Sequence, residues 1–172
     1  MHTSSVQQNI LAELDQELAS TRRILERVPF DQADYKPHPK SMTLWQLATH
    51  VVNLLAFNTL FVQHDSRDFL DPNAPKPGPT PTSSDGLLSR FDEYSATLRQ
   101  ALRASDDDKL TTNFKLHRGE HTIMEMPKAA AIRIMGLNHS IHHRGQLSVY
   151  LRLLDIPVPG LYRPSADEKP GA

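Results

Sequence analysis

Apolar residues recur at helical spacing over four long stretches of the chain. From residue 5 to 28 they fall at Val6, Ile10, Leu11, Leu14, Leu18, Ile24, Leu25 and Val28, one face of an amphipathic helix. Pro29 ends that run, and the polar stretch Asp31 to Lys40, with two prolines, reads as a connection. A second helix is predicted from Thr43, which stands with Gln46 in the spacing of a capping box. Its apolar positions are Leu44, Leu47, Val51, Leu54, Leu55, Phe57, Phe61 and Val62, with His50 on the same side. Residues 65–85 carry Pro72, Pro75, Pro77, Pro79 and Pro81, which exclude a regular helix. A solvated crossover between helices is expected there, with a lid over a site mouth as the alternative.

A third helix is predicted from Gly86 to Ala104, burying Leu87, Leu88, Phe91, Tyr94, Leu98, Ala101 and Leu102. The period then changes. Phe114 and Leu116 alternate with polar residues, His117-Arg118-Gly119-Glu120 has the composition of a turn, and Thr122, Met124 and Met126 alternate beyond it. That is the pattern of a short β-hairpin. Pro127 suits the first turn of a fourth helix, predicted to reach Leu154 and stop before Pro157. Its stripe is Ile132, Met135, His139, His143, Gln146, Tyr150 and Leu153, and its other faces carry Ile134, Leu137, Ile141, Leu147 and Leu151. A helix this apolar is enclosed on several sides, either central in the fold or also meeting a second subunit. The tail 157–172, rich in proline and charge, is expected to be irregular. Four helices with one long crossover and no internal repeat predict an all-α four-helix bundle, one domain over 1–172.

Composition narrows the function classes. The 19 basic and 20 acidic residues leave a net charge of -1 with no basic patch, which argues against a nucleic-acid partner. No apolar run is long enough to span a bilayer, and the start of the chain has no signal-peptide pattern, so the cytoplasm is the expected location. The absence of cysteine removes disulfides, thiolate ligands and a cysteine nucleophile together. Any metal must be held by nitrogen and oxygen.

The nine histidines then matter. His139 and His143 are four apart, so a helix puts both imidazoles on one face, where two nitrogens can share a divalent ion. His50 is a third candidate. Buried imidazoles that only hydrogen-bond to carbonyls or water are the competing reading for each of them. Burying several in one apolar stripe is unfavourable unless each finds a partner, and a shared ion would satisfy three at once. His142 competes with His143 for the pairing with His139, and is assigned a supporting or surface role because the stripe runs through His143. His117 and His121 flank the hairpin turn and are expected to be solvated; His2, His38 and His64 have no evident partners.

The block Asn138-His139-Ser140-Ile141-His142-His143-Arg144-Gly145-Gln146-Leu147 resembles the last helix of the DinB/YfiT-like family of metal-dependent enzymes. Leu47-Ala48-Thr49-His50-Val51, the ending Leu154-Asp155-Ile156-Pro157-Val158-Pro159 and the tail Pro164 to Glu168 are also similar to it. The resemblance implies a four-helix bundle, usually dimeric, with a divalent metal between the helices on His50, His139 and His143. Zinc and nickel are the candidate ions, between which all-nitrogen ligation does not discriminate.

The resemblance also implies an activity: transfer of a low-molecular-weight thiol, such as bacillithiol or mycothiol, to an electrophile. Asn53, His142, Gln146 and Tyr150 are the candidates for orienting substrate or supporting the ligands. Metal-assisted hydrolysis is the second expectation, weakened because no carboxylate stands near the histidine block. A non-catalytic, metal-stabilised dimer that binds a small ligand is the third. In all three the partners are a small molecule and a second copy of the chain, with neither membrane nor nucleic acid.

Overall fold

The computed structural model describes residues 5–168. Helix α1 (Val6–Leu25) starts at a capping box in which Ser5 accepts from Gln8 N–H and the Gln8 side chain accepts from Ser5 N–H. Helix α2 (Leu44–Gln63) starts at the Thr43–Gln46 box that the sequence predicts. Between them, a short 3-10 turn at Phe30–Gln32 leads into a loop tied back by Leu44 N–H to Tyr35 O and Trp45 N–H to Ala33 O. Helix α3 (Ser84–Arg103) begins two residues before the expected Gly86, because Ser83 accepts from Gly86 N–H as its cap. A short helix α4 (Asp107–Thr111), absent from the periodicity, follows; the Asp107 carboxylate receives the N–H groups of Val6 and Gln7 at the start of α1.

The expected hairpin is present as β2 (Asn113–Arg118) and β3 (His121–Pro127), turning at Gly119 with φ +58°, a left-handed conformation that favours glycine. The sheet has a third strand. Ser66–Asp68, inside the expected irregular crossover, forms β1 and pairs in parallel with β2. Asp68 fixes it there by accepting from Gly119 N–H at 2.9 Å. The Pro-rich remainder of the crossover is irregular up to α3, anchored where Trp45 Nε1 donates to Pro81 O at 2.8 Å.

The last helix departs from expectation in form. Pro127 ends β3 and caps the helix start instead of sitting in its first turn. Helix α5 (Lys128–Ala131) passes into a π-helical stretch, Ile132–Asn138, and only then into α6 (His139–Leu153). A π-turn inserts an extra residue, and each residue turns a helix by about 100°. Downstream, the buried residues are Ser140, Arg144, Leu147, Tyr150 and Leu151: apart from Tyr150, the expected stripe is displaced by one residue. Leu153, expected to be buried, is 55% exposed, and Gln146 is also exposed.

Helices α1 and α2 each pack against both α3 and α6, which closes a four-helix bundle. Its core includes Leu14, Ile24, Leu44, Leu47, Phe61, Leu87, Phe91, Leu98, Leu147 and Leu151, each 2% exposed or less. A fully buried side chain of this size contributes about 1.5–3 kcal/mol relative to leaving it in water. The segment after α6 is tied down by a buried cation. Arg144, 1% exposed, pairs with Glu17 at 2.7 Å, donates to Glu17 O and Thr21 Oγ1, and reaches Tyr162 Oη at 2.6 Å. Among the described residues no helix is long and apolar enough to cross a membrane.

Candidate metal centre

His50 comes from the middle of α2; His139 and His143 come from the first two turns of α6, immediately after the π-helical stretch. The packing of α2 against α6 brings the three rings together, with centroids 5.2 Å (His50–His139), 4.6 Å (His50–His143) and 4.7 Å (His139–His143) apart. One ring nitrogen from each lies within 4.8 Å of the other two, and no Asp or Glu joins the group among the described residues. His139 Nε2 and His143 Nε2 are 2.9 Å apart. Two nitrogens about 2.0–2.1 Å from a common ion stand roughly 2.9–3.4 Å apart for bite angles between square and tetrahedral. The donor set therefore fits a divalent ion in type, and the His139–His143 pair fits it in spacing.

All three rings are half-buried, where full burial is expected from an apolar stripe. The one-residue displacement accounts for it: the core line passes through Ser140 and Arg144, leaving His139 and His143 at its edge. Gln146 Oε1 lies 2.7 Å from His143 Nδ1. An amide oxygen only accepts, so Nδ1 carries the proton and Nε2 presents its lone pair to the cluster. Electrostatics favour the neutral, ligating form of His50 and His143. Burial, then repulsion from His143 and His139, brings His50 down to about 4. Burial also lowers His143, against a smaller upward pull from Gln146.

The other predicted site residues separate. His142 is exposed, its ring 4.9 Å from that of His143. Tyr150 is turned away to the bundle end, where its hydroxyl donates to Met42 O at 3.1 Å and its ring meets Tyr35 edge-on. Asn53, one turn after His50, has a buried Oδ1 with no hydrogen-bond partner. His117 is partly buried, not solvated: Nδ1 is 2.8 Å from Gly119 O and 3.9 Å from Asp68, inside the hairpin turn. His121 and His64 are exposed, His38 Nδ1 accepts from Lys40 N–H, and His2 lies outside the described residues.

Two buried cations escaped sequence reasoning. One is Arg144. The other is Lys128, fully buried where β3 meets the last helix, its ammonium bonded to His64 O and paired with Asp65 at 2.8 Å. Asp65 is held below its usual range by that contact. A polar residue beside an apolar run carries no local sign that it points inward.

Comparison with known proteins gives a consistent picture. The protein YrdA of Bacillus subtilis (strain 168) is 25% identical over 156 residues, 88% of this chain and 85% of that one. A DinB-like protein of Bacillus cereus shares the fold with a TM-score of 0.67 at 24% identity, covering 89% of this chain and 95% of its own. YjoA of Bacillus subtilis, also DinB-like, gives 0.69 at 17% identity over 89% and 97%. YfiT of Bacillus subtilis gives 0.57 at 16% identity over 90% and 92%; it is described as a probable metal-dependent hydrolase with an unusual four-helix bundle topology. The DinB family model matches residues 1–170, and the chain belongs to the DinB family.

Proposed function

We propose that this protein is a metal-dependent enzyme that holds zinc or nickel on His50, His139 and His143 and transfers a low-molecular-weight thiol to an electrophile. The convergence of three imidazoles without a carboxylate carries the reading. Such a set leaves both charges of the ion uncompensated, which suits an anionic sulfur or oxygen of a substrate. When bound, the ion supplies Lewis acidity. The chain's own residues do the rest. Gln146 holds the His143 tautomer by accepting from Nδ1–H, and half-burial leaves the rings reachable by a small molecule. His142, exposed beside His143, is the nearest further group able to take or give a proton on that helix.

Metal-assisted hydrolysis is the second reading, favoured by the description of YfiT. It calls on the same three histidines and on a general acid or base, for which His142 is again the candidate. The homodimer expectation is proposed on the outer surface of α6, where Val149 and Leu153 are more than half exposed.

The test starts with metal content. Wild type and His50→Ala, His139→Ala and His143→Ala would be stripped, reloaded with zinc or nickel, desalted and analysed for bound ions. Retention of about one ion per chain by wild type and its loss from each variant is the expected result. Loaded protein is then screened with several low-molecular-weight thiols and a model electrophile, and with ester and amide substrates. Equal metal retention by the variants would remove the basis of both enzymatic readings.

A further inference from the structure

The face of α2 that carries His50 does not stop there. Asn53, Phe57 and Leu60 follow it at spacings of three, four and three, so all four share one side of the helix. Beyond His50 this side is the floor of a cleft of about 320 Å³, within the size range of small-molecule sites. The opposite wall comes from the crossover and from α3, with Arg67, Lys76 and Tyr94 among its residues. The cleft starts one turn from the histidine cluster and runs along α2 for roughly two turns.

Its charges are one-sided. Arg67 has a single hydrogen bond, from Nη2 to Pro75 O at 2.9 Å, while its Nε and Nη1 are buried without partners. Arg90, on α3 one turn before Tyr94, also has a buried, unpartnered Nη1. Its guanidinium lies next to Gly78 on the crossover, beside the Tyr94 hydroxyl. Lys76 is exposed at the rim. Among the described residues no acidic one lines the cleft. Asp68 and Asp71 lie with Arg67 in a neighbouring depression, but both are engaged. Asp68 accepts from Leu70 and Gly119 N–H, and Asp71 accepts from Asn73 N–H. A guanidinium with buried donors left unused is a costly arrangement unless an anion completes it.

We propose that this cleft binds the anionic arm of the substrate, a carboxylate or phosphate on an apolar chain, with Arg67 and Lys76 as its cations. The apolar floor of Phe57 and Leu60 takes the chain, and Asn53 stands between this arm and the end that reaches the histidines. The orientation toward His50 rests on the metal-site reading; the cleft's preference for an apolar anion does not.

Isothermal titration with octanoate, octyl phosphate and octanol tests this on the full chain. The panel is wild type, Arg67→Met, Lys76→Glu and His143→Ala, with circular dichroism as the folding control. Octanoate or octyl phosphate is expected to bind wild type and His143→Ala alike, and to bind Arg67→Met and Lys76→Glu about tenfold more weakly or worse. Octanol is expected to bind all four proteins weakly and equally. The tighter of the two anions names the group the cleft takes. Three results would overturn the proposal: octanol binding as tightly as the anions, no binding by any probe, or binding lost in His143→Ala but kept in Arg67→Met. The last would put the anion on the histidines. Should Arg67→Met fail to fold, Lys76→Glu decides between these outcomes, because its side chain packs against nothing in the core.

Discussion

Gly136→Ala adds one carbon at the point where the bundle sets its histidines. Gly136 lies in the π-helical stretch and faces Asn58 of α2. A Cβ there would sit 1.8 Å from Asn58 Oδ1, 1.9 Å from Nδ2 and 2.1 Å from Cγ. Real Cβ atoms essentially never show contacts under 3.0 Å, so the amide or one helix has to move by on the order of 1 Å. Asn58 is 1% exposed and sits in the core, so there is no free volume to take it up. Overpacking of this kind costs up to about 3 kcal/mol, and the better helix propensity of alanine offsets about 1 kcal/mol. The net loss of about 2 kcal/mol corresponds to a drop in Tm of about 4–8 °C for a chain this long. The site should suffer too. His139 follows one turn later, and ligand distances tolerate only about 0.2 Å, so zinc affinity should fall by about 10- to 100-fold.

Thermal and urea unfolding of metal-stripped protein reads the first effect; zinc competition with a chromophoric chelator reads the second. Asn58→Ala supplies the internal control. It removes a packed side chain but also two buried amide atoms without partners, so its own effect should lie within about 1 kcal/mol. Combined with Gly136→Ala it should restore most of the lost stability, a coupling of about 1–2 kcal/mol. An unchanged Tm and zinc affinity in Gly136→Ala, or a double variant that merely adds the two single effects, would refute the role given to this contact.

Three further outcomes are expected. Arg144→Met removes the cation from Glu17, which is only 12% exposed, and leaves the Tyr162 hydroxyl as that carboxylate's remaining partner; a loss of about 3 kcal/mol in urea unfolding and faster proteolysis near Tyr162 should follow, and wild-type behaviour in both would contradict the anchoring role. Gln146→Leu removes the acceptor that sets the His143 tautomer, so zinc affinity should fall about 10- to 100-fold at nearly unchanged Tm of the metal-free protein; an equal affinity would mean the tautomer needs no such support. Acid should destabilise the metal-free protein through His50. Its value falls from 6.5 to about 4 on folding, so the unfolded chain binds more protons between those pH values. The contribution is complete above pH 6.5 and is lost as pH falls through that window. After discounting for solvent screening of a half-exposed ring it is on the order of 1–2 kcal/mol, and His50→Gln should flatten the pH profile by that amount.

What could be read from the sequence, and what could not, divides by the range of the interaction that decides it. The helix starts at Ser5 and Thr43 are local: each cap and its partner lie within one turn, so a four-residue window contains the whole cause. The spacing of His139 and His143 is equally local. Ser66–Asp68 is the opposite case, three polar residues that extend only because β2 offers an edge and the hairpin turn offers Gly119 N–H to Asp68. Arg144 reads as a surface charge until Glu17, Thr21 and Tyr162 enclose it. The π-helical stretch belongs here too, since the fit of Gly136 against Asn58 depends on a residue in another helix. That long-range feature decides the accessibility of the site. With an unbroken α-helix the apolar period would put the stripe through His139, His143 and Gln146 towards the core. Displaced by one residue, the core receives Ser140, Arg144 and Leu147 instead, and the histidines meet His50 at the rim, one turn from the cleft along α2. His139 and His143, which periodicity assigns to a buried stripe, thereby become partly exposed groups, and the irregularity invisible to periodicity is what sets their exposure.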